Sequence, residues 1–453
     1  MTHMYKTTEG KDRKMKVLKA LKKIGKVLLI ITLVITMILV VALNYKTVLA
    51  SHKNKDVIEL AKSMDDINVP DNVKIFGLGE ASHGAVEFQE SKLDVLKILV
   101  EKHGFKAIVL EADFGDCLEA NAYIQGGEGD AREIVNKMSF VIYHTQQMAD
   151  LLDWMREYNQ SVPEEECLRI YGFDMQNPDK GYAFLSDYMD KNGISGIDVS
   201  GIEYLLDENR QARLNKEQAQ KVKDELSQIR EAIESKAGND FDFDTTCAVK
   251  VTQNIEVTVD YMMFEGINAE MSAFRDRAMA GNVSWILDLE KEIGSGKIML
   301  AAHNGHIGKK GHNITLITTM GNELKNKYGD SYYCLGTDFF KGTFNSSVIR
   351  TSADDPYMRK NYYVTTADPM AYQAKYMEDK KFYLDFENLS AENDKALYDL
   401  VHSNVTTGSV GEGFFGLGYL IHTSYRINIA PTELYDGMLF YYSISPIDPE
   451  FEA

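Results

Sequence analysis

Between residues 73 and 112 the chain reads as strand, helix, strand, and no other feature restricts the possible fold as much. "VKIFGLG" (73–79) and "KAIVLEA" (106–112) are apolar runs of strand length. Between them Val86, Leu93, Leu96, Leu99 and Val100 recur at helical spacing, and His103-Gly104 closes the helix. A helix linking two such strands forms a βαβ unit, which predicts that the two strands are parallel neighbours. Similar runs follow at "LRIYGFD" (168–174), "KIMLAAH" (297–303) and "YYCLGTDF" (332–339), and "ELYDGMLFYYSI" supplies a late strand. The expected fold is α/β, a mostly parallel sheet with flanking helices. Residues 200 to 295, including the charged "LNKEQAQKVKDELSQIREAIESK", predict a helical insertion or lid that forms a cleft at the carboxyl edge of the strands.

What ends each strand run carries the chemistry. The first ends at Glu80 with His83 three residues on, the second at Glu111 and Asp113, the third at Asp174, and the fourth at His303 and His306. In a parallel sheet these carboxyl ends share one edge, where open α/β sheets place their sites. Each residue alone has a plainer reading: Glu80 and Asp174 as helix caps, His306 in "HNGH" as a turn residue.

"GLGEASHGAVEF" (77–88) is not a dinucleotide loop. Ser82 stands where a third glycine is needed, and Glu80 would repel a pyrophosphate. Gly77 and Gly79 are expected to let the strand end turn tightly, and Gly84 to relieve crowding where the helix begins. The sequence contains no G-x-S-x-G elbow, and Ser331 in "GDSY" precedes a strand instead of following one. Direct attack by water therefore becomes the natural chemistry. His83 would take the proton with Glu80 or Glu111 behind it, and His303 would polarise a carbonyl or protonate a leaving alcohol. No cofactor is required. The alternatives are a divalent metal held by the same two histidines and two glutamates, or a non-enzymatic ligand-binding protein.

Charge divides the chain. Residues 1–50 carry ten Lys and Arg against two acids, within a net charge of −19 for the whole. The acidic remainder is unsuited to phosphate backbones, so nucleic acid is excluded as a partner. Eight basic residues between Lys11 and Lys26 precede "VLLIITLVITMILVVAL" (27–43), which is just long enough to span a bilayer. The expected organisation is a basic cytoplasmic segment (1–26), a transmembrane anchor or signal (27–44), a linker (45–56) and an enzymatic domain (57–453). The positive flank puts that domain outside the cell membrane, tethered by the N-terminal helix, or secreted if the chain is cut near "VLAS" (48–51). Cys117, Cys167, Cys247 and Cys334 are widely spaced and form no CxxC pair.

The stretch "GLGEASHGAVEFQESKLDVLKILVEKHGFKAIVLEADFGD" strongly resembles the erythromycin esterase family. The likeness continues through "LLDWMREYN", "YGFDMQ", "FRDRAMAGNVSWIL", "AAHNGHIGK", "MGNELKNKYGDSYYCLGTDFFKGTF" and "YDGMLFY", in the family's order over residues 73 to 441. The resemblance implies hydrolysis of a macrolide lactone or a related carboxylic ester by histidine-activated water. It assigns His83 as base, Glu80 as its companion acid, and Glu111 and His303 as the other acid and histidine of the cleft. Arg275 and Asp276 resemble the family's helical contribution. Lys92 stands where some members have Arg, keeping charge but losing the planar fork. Lys92, Asp174, Arg275 and His306 are the candidate substrate contacts.

Overall fold

The computed structural model describes residues 2–207, 213–238, 240–266, 268–311, 318–350 and 356–449. They fall into two compact units, Met1–His52 and Lys53–Ala453. The first is a single helix, Thr2–Ala50, so helix continues into the segment expected as linker. Its stretch Leu18–Ala42 is 25 residues long with a mean hydropathy of 2.8 and none of it buried. Leu29, Leu33 and Ile38 are each about 60% exposed, as in a helix whose natural solvent is lipid. A signal sequence has the same properties.

The second unit is built on five strands that the sequence pattern located to within two residues at their starts: β1 (Ile75–Glu80), β2 (Ala107–Asp113), β3 (Arg169–Asp174), β4 (Ile298–His303) and β5 (Tyr332–Val348). Every residue of β1 to β4 is buried, because helices cover both faces of the sheet. Later come β6 (Arg359–Thr365), β7 (Lys381–Asp385), β8 (Val405–Gly408), β9 (Gly413–Phe414), β10 (Arg426–Ile429) and β11 (Gly437–Ile444). The main sheet runs β3-β2-β4-β1-β5-β11-β7, parallel throughout except for β7 against β11. β5 extends past the sheet to pair with β6 and β9, while β8 and β10 form a separate ribbon.

One expectation fails. β1 and β2 are parallel but not adjacent, because β4 lies between them and pairs with both. The linking helix, Val86–His103, is roughly 10 Å across, close to the width of two strand spacings, and so bridges a two-strand step without strain. The vacant position is filled by a strand some two hundred residues later. The helix itself follows its pattern, burying Phe88, Val95, Leu96 and Leu99. It ends at Gly104, whose φ of 69° lies in the left-handed region that glycine adopts freely.

Between residues 200 and 293 the described residues form the helices Ser200–Leu206, Lys216–Lys236, Phe243–Met262 and Ala269–Ile293, as expected. The last of these helices, Ala269–Ile293, lies along β3. Buried Glu290 accepts from Arg169 Nε (2.6 Å) and Nη2 (3.0 Å) and from the Tyr171 hydroxyl (2.7 Å), and Asn282 Nδ2 donates to the Phe173 carbonyl (2.9 Å). These contacts fix the axial position of the helix, and with it Arg275 and Asp276 near its start.

Gly79 serves close approach and not the expected turn, while Gly84 relieves crowding as expected. A Cβ on Gly79 would come within 2.1 Å of Asn304 Oδ1, and one on Gly84 within 1.7 Å of the Asn345 carbonyl oxygen. Asn345 N also donates to the Gly84 carbonyl at 2.9 Å, so neither backbone can retreat. Gly84→Ala is expected to destabilise the chain by at least about 2 kcal/mol through backbone overpacking, measured by chemical denaturation.

Candidate active site

The strand ends meet as the sequence implies. Register places Glu80 of β1 opposite His303 of β4, and Asp113 of β2 opposite Asp174 of β3. After β1 the chain turns through Ala81–Ala85. Ala81 N donates to Thr337 Oγ1 (2.9 Å), and Gln89 Nε2 to the His83 carbonyl (3.0 Å), which fixes the backbone that carries His83.

The His83 ring is buried between two carboxylates. Its Nδ1 lies 3.6 Å from Glu80 Oε2, and these two buried atoms make no hydrogen bond to any described residue. The other Glu80 oxygen is 2.7 Å from Lys92 Nζ, which also donates to Gln89 Oε1 at 2.6 Å. Lys92 is completely buried, one helical turn behind the site, under the Tyr143 ring. It cannot reach a substrate, so its contribution is charge compensation for Glu80.

On the other side, Arg275 gathers the acids. Its Nε and Nη2 donate to Asp174 (2.6 to 3.2 Å), and Nη2 also donates to Glu111 Oε1 (3.0 Å). His306 Nε2 is 3.2 Å from the same Glu111 oxygen, while its Nδ1 is 2.8 Å from Asp276 Oδ1. Glu111 Oε2 accepts from the His303 backbone N (2.8 Å). The His303 ring lies 5.1 Å from that of His83, centre to centre. Gly305 N donates to His303 Nδ1 (3.1 Å), and Nε2 faces the Val410 carbonyl (3.1 Å). This pattern assigns the His303 proton to Nε2, and both ring nitrogens are already engaged.

Charge sets the protonation. Burial alone would lower the affinity of His83 for a proton. The Glu80 contact and the charges of Glu111, Glu80 and Glu412 outweigh it and raise its pKa above the ordinary 6.5. His306 shifts the same way, with Glu111 and Asp276 overcoming burial. Burial pushes Glu80 up, but Lys92 and His83 prevail and hold it below the usual carboxylate range. Glu111 is held low despite its burial by His306, His83 and Arg275. Asp113 is the exception: burial and the charge of Asp174 push it well above the usual range, and Asn177 N and Nδ2 donate to it at 2.9 and 2.7 Å.

A cavity of about 500 Å³ opens over this cluster. Five expected residues line it: His83, Glu111, Arg275, His303 and His306. Glu80, Lys92 and Asp174 are buried behind them. Sequence reasoning missed the apolar wall Phe140, Val141 and Ile142, and the far rim of Ser347, Tyr357 and Glu412. The glycines of "VGEGFFGLG" were the available signal for that rim. The two acids of the expected metal set are already paired, Glu80 with Lys92 and Glu111 with Arg275 and His306, so a divalent metal would have to compete with these contacts. Among the described residues no three His, Cys, Asp or Glu side chains gather as a ligand set.

An open parallel sheet with a carboxylate-backed histidine and an arginine–carboxylate cluster at its carboxyl edge has the general layout of an α/β enzyme. The Erythromycin esterase family model matches residues 100–444, and the chain belongs to that family. The matched span begins after Glu80 and His83. The chain is 25% identical to the erythromycin esterase type II of Escherichia coli over 319 residues, 63% of this chain and 73% of that protein. It is 23% identical to a putative hydrolase of Bacillus subtilis (strain 168), over 61% of this chain and 68% of that one. Among solved structures, a Bacillus cereus protein superposes with a TM-score of 0.70 at 22% identity, covering 88% of this chain and 100% of the other. An erythromycin esterase mutant in its open conformation gives 0.54 at 16% identity, covering 83% and 92%. The superpositions establish the shared fold, and family membership suggests a hydrolase.

Lys92 is the residue whose placement most changes its expected role. Lys92→Met is expected to cost about 3–5 kcal/mol near neutral pH, because it leaves the Glu80 carboxylate buried without a counter-charge. The native pair stabilises above the normal carboxylate pKa, and that stability is lost as pH falls through the depressed value of Glu80. The deficit of the variant should therefore shrink in acid, as denaturation curves at several pH values will show.

Proposed function

We propose that this chain hydrolyses a carboxylic ester or macrolide lactone with His83 as general base toward water. One observation carries the reading: His83 lines the cavity, and its Nδ1 faces Glu80 Oε2, buried behind it, at 3.6 Å, neither atom having a hydrogen-bond partner among the described residues. A proton on Nδ1 is stabilised by Glu80, which leaves Nε2 as the basic nitrogen. Nε2 takes a proton from water as the hydroxide oxygen adds to the ester carbonyl carbon. Arg275, with His306 beside it, faces the cavity as a cation and stabilises the oxyanion that forms. When the tetrahedral adduct collapses, the C–O bond to the alcohol breaks and His83 returns its proton to the leaving oxygen. The products are a carboxylic acid and an alcohol; for a lactone, one opened chain bears both.

His303 was expected to polarise a carbonyl or protonate the leaving alcohol. Its Nε2–H is directed at Val410 and its Nδ1 accepts from Gly305, so protonation of the leaving oxygen passes to His83 and polarisation of the carbonyl to Arg275. The name of the family makes erythromycin and other macrolides the first compounds to test, and the apolar wall Phe140–Ile142 offers a surface for a hydrocarbon face. The basic flank and apolar stretch of the N-terminal helix support a single-pass anchor with the catalytic unit outside the membrane.

The test is turnover of a panel of esters and macrolide lactones by the full chain and by His83→Ala. Loss of about 10²–10⁴-fold in kcat, with KM little changed, is the expected result. Wild-type turnover by the variant would overturn the assignment.

A further inference from the structure

The mechanism above does not use Glu412, yet few surface-loop residues here are held so firmly. Its backbone carbonyl accepts from Ser347 N (3.0 Å), Ser347 Oγ (2.9 Å) and Ser346 Oγ. Its carboxylate is gripped by both terminal nitrogens of Arg359, with Nη2 3.3 Å from Oε2. Arg359 is fixed in turn: its Nε donates to Asn345 Oδ1 (2.6 Å) and Nη1 to the Tyr357 hydroxyl (2.9 Å), and only 3% of its side chain is exposed. A guanidinium so buried, spent on a loop carboxylate that is 41% exposed, needs a reason.

The reason lies two residues earlier. The segment Ser409–Gly413 crosses the carboxyl ends of three strands as a strap. Val410 N donates to the Ala81 carbonyl just past β1 (2.7 Å), and the Val410 carbonyl faces Nε2 of His303 at the end of β4 (3.1 Å). At the far end, β9 pairs with Ser347 and Val348 of β5. The strap root is held as well, with Gly408 N donating to buried Asp338 Oδ2 (2.8 Å). Glu412 is thus the point at which the strap is locked to the rigid β5–β6 pair, on the cavity side of His83 and His303.

We propose that Arg359 and Glu412 form a latch that holds the Ser409–Gly413 strap across β1 and β4, so that Val410 fixes the ring of His303 beside His83. Both are positioning residues; neither takes part in bond making. The consequence for rate rests on the reading of His83 as base, but the latch itself does not. A ring held by one acceptor and one donor has a single orientation and a single tautomer, and a loosened strap would release both. Glu412 also belongs to the set of charges that faces His83. Glu80 on β1, with Lys92 behind it, Glu111 on β2, with Arg275 and His306, and His303 on β4 make up the rest.

The test compares the full chain with Arg359→Ala and Glu412→Gln, and reads hydrogen exchange of the peptide covering residues 405–414 together with ester turnover. Both variants should exchange at Val410 at least about tenfold faster than wild type. They should also lose about 10- to 100-fold in kcat with little change in KM. In Glu412→Gln the acid limb of the pH profile should move to lower pH, because one of the carboxylates facing His83 is gone. Arg359→Lys, which keeps the charge but not the fork, should recover part of the rate. Wild-type exchange in both variants would overturn the latch, even if His83→Ala is inactive. If the wild-type chain cleaves no ester, the proposed reaction falls, and strap exchange still decides the latch.

Discussion

A carboxylate at the buried end of a central strand survives only beside a cation, and the pair Glu80–Lys92 is the interaction on which this site rests. Lys92 comes from the helix that follows β1, so a single βα unit supplies the histidine, its acid and the counter-charge of that acid. Because Lys92 is completely buried, the ammonium has no alternative in solvent. Replacing both partners by hydrocarbon could leave stability unchanged or improve it, so the pair is better read as serving chemistry than as serving the fold.

The same logic extends along the sheet edge. Asp174 is neutralised by Arg275, Glu111 is shared between Arg275 and His306, and Asp276 pairs with His306. Asp113, next to Asp174 and with no cation paired to it among the described residues, is driven toward its neutral form. Within this set, His83 has an inner nitrogen that faces a carboxylate from just outside hydrogen-bond distance. Protonation would draw Glu80 and His83 together. The raised pKa of His83 also means that its protonated form stabilises the folded chain, an effect complete below the unfolded histidine pKa and lost as pH rises through the folded value. The basic form proposed for catalysis is thus the one that contributes less to stability.

Much of this was legible because each apolar run stops at an acid or a histidine, and a parallel sheet brings such ends to one edge. Strand order was not legible. The place of β4 between β1 and β2 depends on a contact between segments some two hundred residues apart, which local periodicity does not encode. Lys92 was expected to touch substrate because of the family resemblance, and only packing shows that it lies buried beside Glu80, away from the cavity lining. Gly79 was expected to serve a turn, but its constraint is the approach of Asn304; Gly84 does relieve crowding, against the Asn345 carbonyl. Arg359 and Glu412 meet only through the β5–β6 and β5–β9 pairings, so no spacing in the sequence links them.

The central claim is that His83 carries an elevated proton affinity because Glu80 stands behind it. Titrating the His83 ring by NMR in the full chain, selectively labelled at histidine, tests this directly. The account predicts a pKa above 6.5 in the wild type, falling clearly in Glu80→Gln. A wild-type value at or below 6.5 that is unmoved by the substitution would contradict it.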